Sequence, residues 1–104
     1  MSNKYVVEVE GRDVLTHFDI DGFDPNEPFG FLTTRYVLAD TAELAADAAM
    51  LSVNQELRSM GVSTLEGGPL VMWINEVEQV ETFPADVTPP GSGFGWFPQR
   101  SDAE

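Results

Sequence analysis

His17 is the only histidine in the chain, and Asp19 and Asp21 follow it within one short stretch. Carboxylates beside an imidazole favour its charged form, which is how a general base is commonly tuned. Hydrolysis would also require a nucleophile next to that base. The chain has no cysteine and no Gly-x-Ser-x-Gly elbow, so the triad is incomplete. Continuing along the same stretch, Asp19, Asp21, Asp24, Asn26 and Glu27 supply hard oxygen ligands of the kind calcium takes. Counted from Asp19 as first ligand, however, an EF-hand would need its glycine at Asp24 and its bidentate acid at Gly30. The segment reads as a solvated acidic turn, and no metal or other cofactor is expected.

Two further constellations attract notice. Thr33-Thr34-Arg35 ends in a guanidinium on the opposite strand face from Leu32, Tyr36 and Leu38. Arg35 there would pair a carboxylate at an interface or an anionic ligand, with a cross-strand salt bridge as the ordinary reading. Gly91-Ser92-Gly93-Phe94-Gly95 superficially suggests a phosphate loop, but it leads into no helix and has no Walker lysine. It reads as a flexible tail. Phe94, Trp96 and Phe97 together carry on the order of several hundred Å² of surface, too much to leave in water. They are expected to fold back as a fourth strand or plug, or to exchange with a second copy, ahead of docking into a different protein.

The elements that must position these groups follow from periodicity. Tyr5, Val7 and Val9 share one face of a strand whose other face carries Lys4, Val6, Glu8 and Glu10. Gly11 is a possible break. Residues 31–39 predict a second strand. A helix is expected over residues 41–60, capped by Asp40 or Thr41, with Glu43 as a capping-box partner to Asp40. Its apolar stripe is Ala46, Met50, Val53, Leu57 and Met60, widened by Ala42, Ala45 and Ala49, and Gly61 suits its left-handed C-cap. Residues 70–74 form an apolar run fit for a buried strand, half-exposed onward to about Phe83 and long enough to hold a bulge. Strand, strand, helix, strand predicts an α+β fold, a small ββαβ sandwich. One long helix would cover a three- to four-stranded, mostly antiparallel sheet, with a C-terminal aromatic extension. Residues 1–98 are read as one domain and residues 99–104 as a flexible polar tail.

Hydrophobic residues make up 42% of the 104 and charged residues 22%, enough apolar matter for one modest core. No apolar run approaches the roughly 20 residues that span a bilayer. The N-terminus lacks the apolar region of a signal peptide, and without cysteine there are no disulfides, so a cytoplasmic protein is expected. Eighteen acids face five bases, a net charge of −13. Such a chain is repelled by phosphate backbones and anionic membranes, which excludes nucleic acid and membrane as natural partners. It attracts a basic protein and speeds the encounter. Plain solubility or a salt-rich habitat accounts for the same excess.

Gly30-Phe31-Leu32-Thr33-Thr34-Arg35 and the closing Gly93-Phe94-Gly95-Trp96-Phe97-Pro98 resemble a group of small uncharacterised bacterial proteins. Those share a Gly-Phe-aromatic-Thr-Thr-Arg strand and a Gly-aromatic-x-aromatic-aromatic-Pro ending. Leu32 here replaces the second aromatic. The resemblance runs from Gly30 onward and implies a bacterial, cytoplasmic setting without a mechanism.

The leading reading is a non-enzymatic acidic module docking on a basic protein, as an inhibitor, an immunity-type protein or an accessory factor. Its contact residues would be Asp19, Asp21, Asp24 and Glu27, with Arg35, Phe94, Trp96 and Phe97. The alternative is a structural homodimer serving a larger assembly. A third reading is a small enzyme using His17 with Asp19 or Asp21.

Overall fold

The computed structural model describes residues 2–15, 28–64 and 71–98. Its elements in chain order are β1 (Asn3–Leu15), β2 (Phe29–Ala39), α1 (Ala42–Met60), β3 (Ser63–Thr64), β4 (Val71–Val80) and β5 (Gly95–Pro98). One helix packs on a curled sheet in which every described pairing is antiparallel, the expected α+β class. β1 is central. It pairs β2 along one edge, and β4 and the short β3 along the other, while β5 extends the sheet beyond β2.

β1 runs through Gly11 without a break. Between the pairs Gly11–Phe31 and Val14–Phe29, Arg12 and Asp13 of β1 stand against Gly30 alone, so the register shifts there. Asp13 takes the left-handed conformation at this bulge (φ 62°), which Asp tolerates better than most residues. The extra residue returns Val14 to the face of Val7 and Val9, and all three are fully buried. Gly11 itself is covered by the ring of its cross-strand partner Phe31, and a Cβ there would overlap that ring. Gly11→Ala is therefore expected to cost roughly 1–3 kcal/mol in urea unfolding, the scale of an overpacked core. Part of this should return in Gly11→Ala/Phe31→Leu. Unchanged stability of the single variant would disprove the contact.

The helix begins where Thr41 accepts the Leu44 N–H at 3.1 Å, so Thr41 and not Asp40 is the cap. It ends at Gly61 in the left-handed conformation (φ 77°). The buried ridge is Ala45, Ala49, Val53 and Leu57. Ala46 and Met50 are only half-buried and Met60 is exposed, a rotation of the stripe toward the small residues. Two alanines at its N-terminal end let the helix lie close to the sheet.

The helix-facing side of β2 is Phe29, Phe31, Thr33, Arg35 and Val37, because Tyr5, Val7 and Val9 oppose Val37, Arg35 and Thr33. Leu32, Thr34, Tyr36 and Leu38 lie on the open side. β4 ends at Val80 and is an edge strand, half-buried where the apolar run suggested full burial, and Val71 is 45% exposed. The aromatic tail joins the same chain's sheet as β5, with Phe31 opposite Trp96 and Gly30 opposite Phe97. Phe94 and Trp96 meet Phe31 edge-on with centroids 5.1 and 5.9 Å away, filling the end of the core that α1 leaves open.

Candidate functional site

Arg35 is the most buried charge described, 1% exposed, in a core built mainly of valine, alanine, Leu57 and aromatic rings. Every hydrogen bond it makes reaches either α1 or the glycine-rich segment before β5. One terminal nitrogen donates to the Gly91 carbonyl at 2.9 Å and to the Ser52 hydroxyl at 3.5 Å. The other donates to the Gly93 carbonyl at 3.2 Å and pairs with Glu56 at 2.8 Å. The Glu56 carboxylate also accepts the Gly93 N–H at 3.0 Å, and Thr33 donates its hydroxyl to the Gly93 carbonyl at 2.7 Å. Phe94 stacks over the guanidinium at 5.2 Å. The carboxylate partner is thus on the helix, not across the sheet. With both ends occupied, and its Nε buried without a partner, Arg35 is a clamp on the C-terminal segment. Gly91 and Gly93 both sit at φ 86°, a conformation open to glycine at little cost.

The open side of the sheet has a different character. Glu8 of β1 lies directly opposite Glu76 of β4, and Glu10 and Glu78 extend the same seam along the two strands. Asn75 is the extra residue of a bulge between the Glu8–Glu76 and Val9–Ile74 pairs. Its amide donates to Glu10 at 2.9 Å and Glu8 at 3.4 Å, while its oxygen accepts the Trp73 indole N–H at 2.9 Å. Among the described residues no Lys or Arg pairs with these four carboxylates. Like charges directly opposite one another in a sheet are destabilising, a local cost that the Asn75 amide, shared between Glu8 and Glu10, offsets only in part.

Of the residues singled out in the sequence, His17, Asp19, Asp21, Asp24 and Glu27 lie outside the described residues. Arg35, Phe94 and Trp96 face inward against the same chain. Phe97 lies over Gly30 on the open side and is 37% exposed. The acidic seam was within reach of sequence reading, because Glu8-Val9-Glu10 and Glu76-Val77-Glu78 are twin triplets. Only the strand register reveals that they meet.

Two concavities flank β2. An open cleft of about 590 Å³ separates it from the 86–95 segment and is lined by Thr34, Tyr36, Asp86 and Ser92 among others. A more apolar groove of about 330 Å³ lies between β2, α1 and Pro89-Pro90. Among the described residues no cluster of His, Cys, Asp or Glu is placed to hold a metal ion, and no helix is long and apolar enough to cross a membrane. No protein-family model, curated protein or solved structure matches this chain.

Proposed function

We propose that this protein is a non-enzymatic module that docks on a basic protein, acting as an inhibitor, an immunity-type protein or an accessory factor. The seam of Glu8, Glu10, Glu76 and Glu78 carries this reading. Of the cations on this face of β1, Lys4 donates to the Glu81 carbonyl at 3.4 Å and Arg12 lies over the Trp73 ring at 5.6 Å, so neither is paired with the seam. A cationic surface laid on the seam would relieve the repulsion and gain charge-assisted hydrogen bonds. The net charge of −13 acts in the same direction at long range. The acidic stretch from Asp19 to Glu27, outside the described residues, adds to that charge.

The test joins stability to binding. Neutralising Glu8→Gln with Glu76→Gln is expected to raise stability by on the order of 0.5 kcal/mol, a shift of a few degrees in Tm. The same variant, tagged and passed through bacterial lysate at low salt, is expected to lose a basic protein that the unaltered chain retains and salt elutes. Retention that ignores both salt and the substitution would overturn the proposal. Recovery of untagged copies alone would point to the homodimer.

A further inference from the structure

We propose that the edge of β2 beyond the Tyr36–Pro90 contact, residues 37–39, and the adjoining flank of α1 bind an extended segment of a basic protein as an added strand. The inference deepens the docking reading above and rests on it.

The backbone supplies the first argument. β5 pairs only with Phe29, Gly30, Phe31 and Leu32. Farther along, Tyr36 gives its N–H to the Pro90 carbonyl at 2.9 Å, so this residue turns its polar groups away from β1. Backbone direction repeats every second residue in an antiparallel strand. Leu38 therefore also presents its N–H and C=O outward, and no backbone hydrogen bond from the 84–91 segment reaches it. Among the described residues no strand pairs there. An open edge of this kind is a template for an incoming extended chain.

Side chains supply the second. The groove beside this edge is lined by Val37, Leu38, Ala48, Leu51, Pro89 and Pro90. Leu38 and Leu51 are 58% and 57% exposed, and Leu44, two turns before Leu51 on the same flank, is 52% exposed. These leucines are outside the buried ridge of α1 and do nothing for the core. Alternate apolar side chains of an added strand would fall against them.

Charge chooses the occupant. The exposed acids Asp40, Glu43 and Asp47 follow the edge into α1, and Asp86 lines the adjoining cleft. Two described cations adjoin this edge: Lys4, opposite Leu38, is engaged with the Glu81 carbonyl at 3.4 Å, and Arg35, which reaches the groove residue Ser52, is paired with Glu56 at 2.8 Å. Pairing Leu38 with Leu38 of a second copy would bring both sets of acids to one interface. A segment alternating apolar residues with Lys or Arg meets no such penalty.

The experiment uses the full chain and a short synthetic peptide alternating lysine and valine. An analogue of equal charge carries N-methyl groups on the backbone nitrogens of one edge. Fluorescence anisotropy should show the methylated analogue binding roughly tenfold more weakly, the loss expected for about two missing backbone hydrogen bonds. Amide chemical shifts should move at residues 36–39 and 48–55. Leu51→Gln, a surface change whose folding is checked by circular dichroism, should weaken the unmodified peptide by about fivefold or more. Equal binding of the two peptides, or shifts confined to β1 and β4, would overturn the strand site while leaving the acidic seam as the docking surface. A dimer of the protein alone that Leu51→Gln dissociates would overturn it in favour of a second copy. Failure of the docking reading shows itself separately, as salt-independent retention in the lysate experiment.

Discussion

Arg35→Ala is expected to cost about 3–5 kcal/mol and to free the segment before β5 from the sheet. A domain of this size has only about 5–15 kcal/mol in total. The substitution removes the donors that hold the Gly91 and Gly93 carbonyls, opens a cavity beside Phe94, and leaves Glu56 facing the core with no counter-charge. Glu56 is 26% exposed and would rehydrate in part, which places the effect toward the lower end of that range. Arg35→Met keeps most of the volume and should cost less, since an apolar isostere needs no partner. Glu56→Gln should approach the alanine variant, because it strands a buried guanidinium. Urea unfolding ranks the three, and proteolysis of the native state between residues 84 and 94 reports release of the segment. A midpoint for Arg35→Ala within about 0.5 kcal/mol of the unaltered chain would show that the clamp is not closed in solution.

Ending the chain at Ser92 should be at least as damaging, on the order of 5 kcal/mol, a loss that takes up the whole stability of a domain at the low end of the usual range. The truncation removes the pairing of β5 with β2 and takes Phe94 and Trp96 off Phe29 and Phe31. Each aromatic side chain buried from water contributes roughly 1.5–3 kcal/mol. The truncated chain also loses the Gly93 carbonyl, so Arg35→Ala in that background should cost less than in the full chain. Non-additivity of about 1–3 kcal/mol is the expected signature of two changes in one network. Strict additivity would separate the clamp from the tail. A truncated protein as stable as the full chain would mean that the tail contributes nothing to the fold.

Much of the architecture was legible because it rests on local periodicity. The helix, its Gly61 cap, the alternation of Tyr5, Val7 and Val9, and the α+β class all follow from patterns within one element. What was not legible depends on partners distant in sequence. Which face of β2 is dry could not be read from Phe31 to Ala39, where apolar and polar residues occur on both sides and the buried side includes an arginine. That face is decided by the register with β1, and the arginine is tolerated only because residues 52, 56, 91 and 93 converge on it. Leu44 and Leu51 were invisible as a surface because the core stripe absorbs attention on any alanine-rich helix. The twin Glu-Val-Glu triplets announced two half-exposed strands, and a bulge at Asn75 is what sets the first glutamate of one against the first of the other.

The central place of β1 also has a consequence for the time during which the chain is being made. β1 is synthesised before the other elements, yet its second neighbour is β4, with Lys4 opposite Val80. At 5–20 residues per second, the ~65 residues from the end of β1 to the end of β4 take roughly 3–13 s to appear. Throughout that interval a valine-rich strand has one open edge on the growing polypeptide, a state prone to pairing with neighbouring nascent chains. Glu8 and Glu10 are interleaved among those valines, and charges so placed discourage edge-to-edge association. The same two carboxylates that strain the finished sheet thus guard the unfinished one, and variants that neutralise them should gain stability while losing soluble yield.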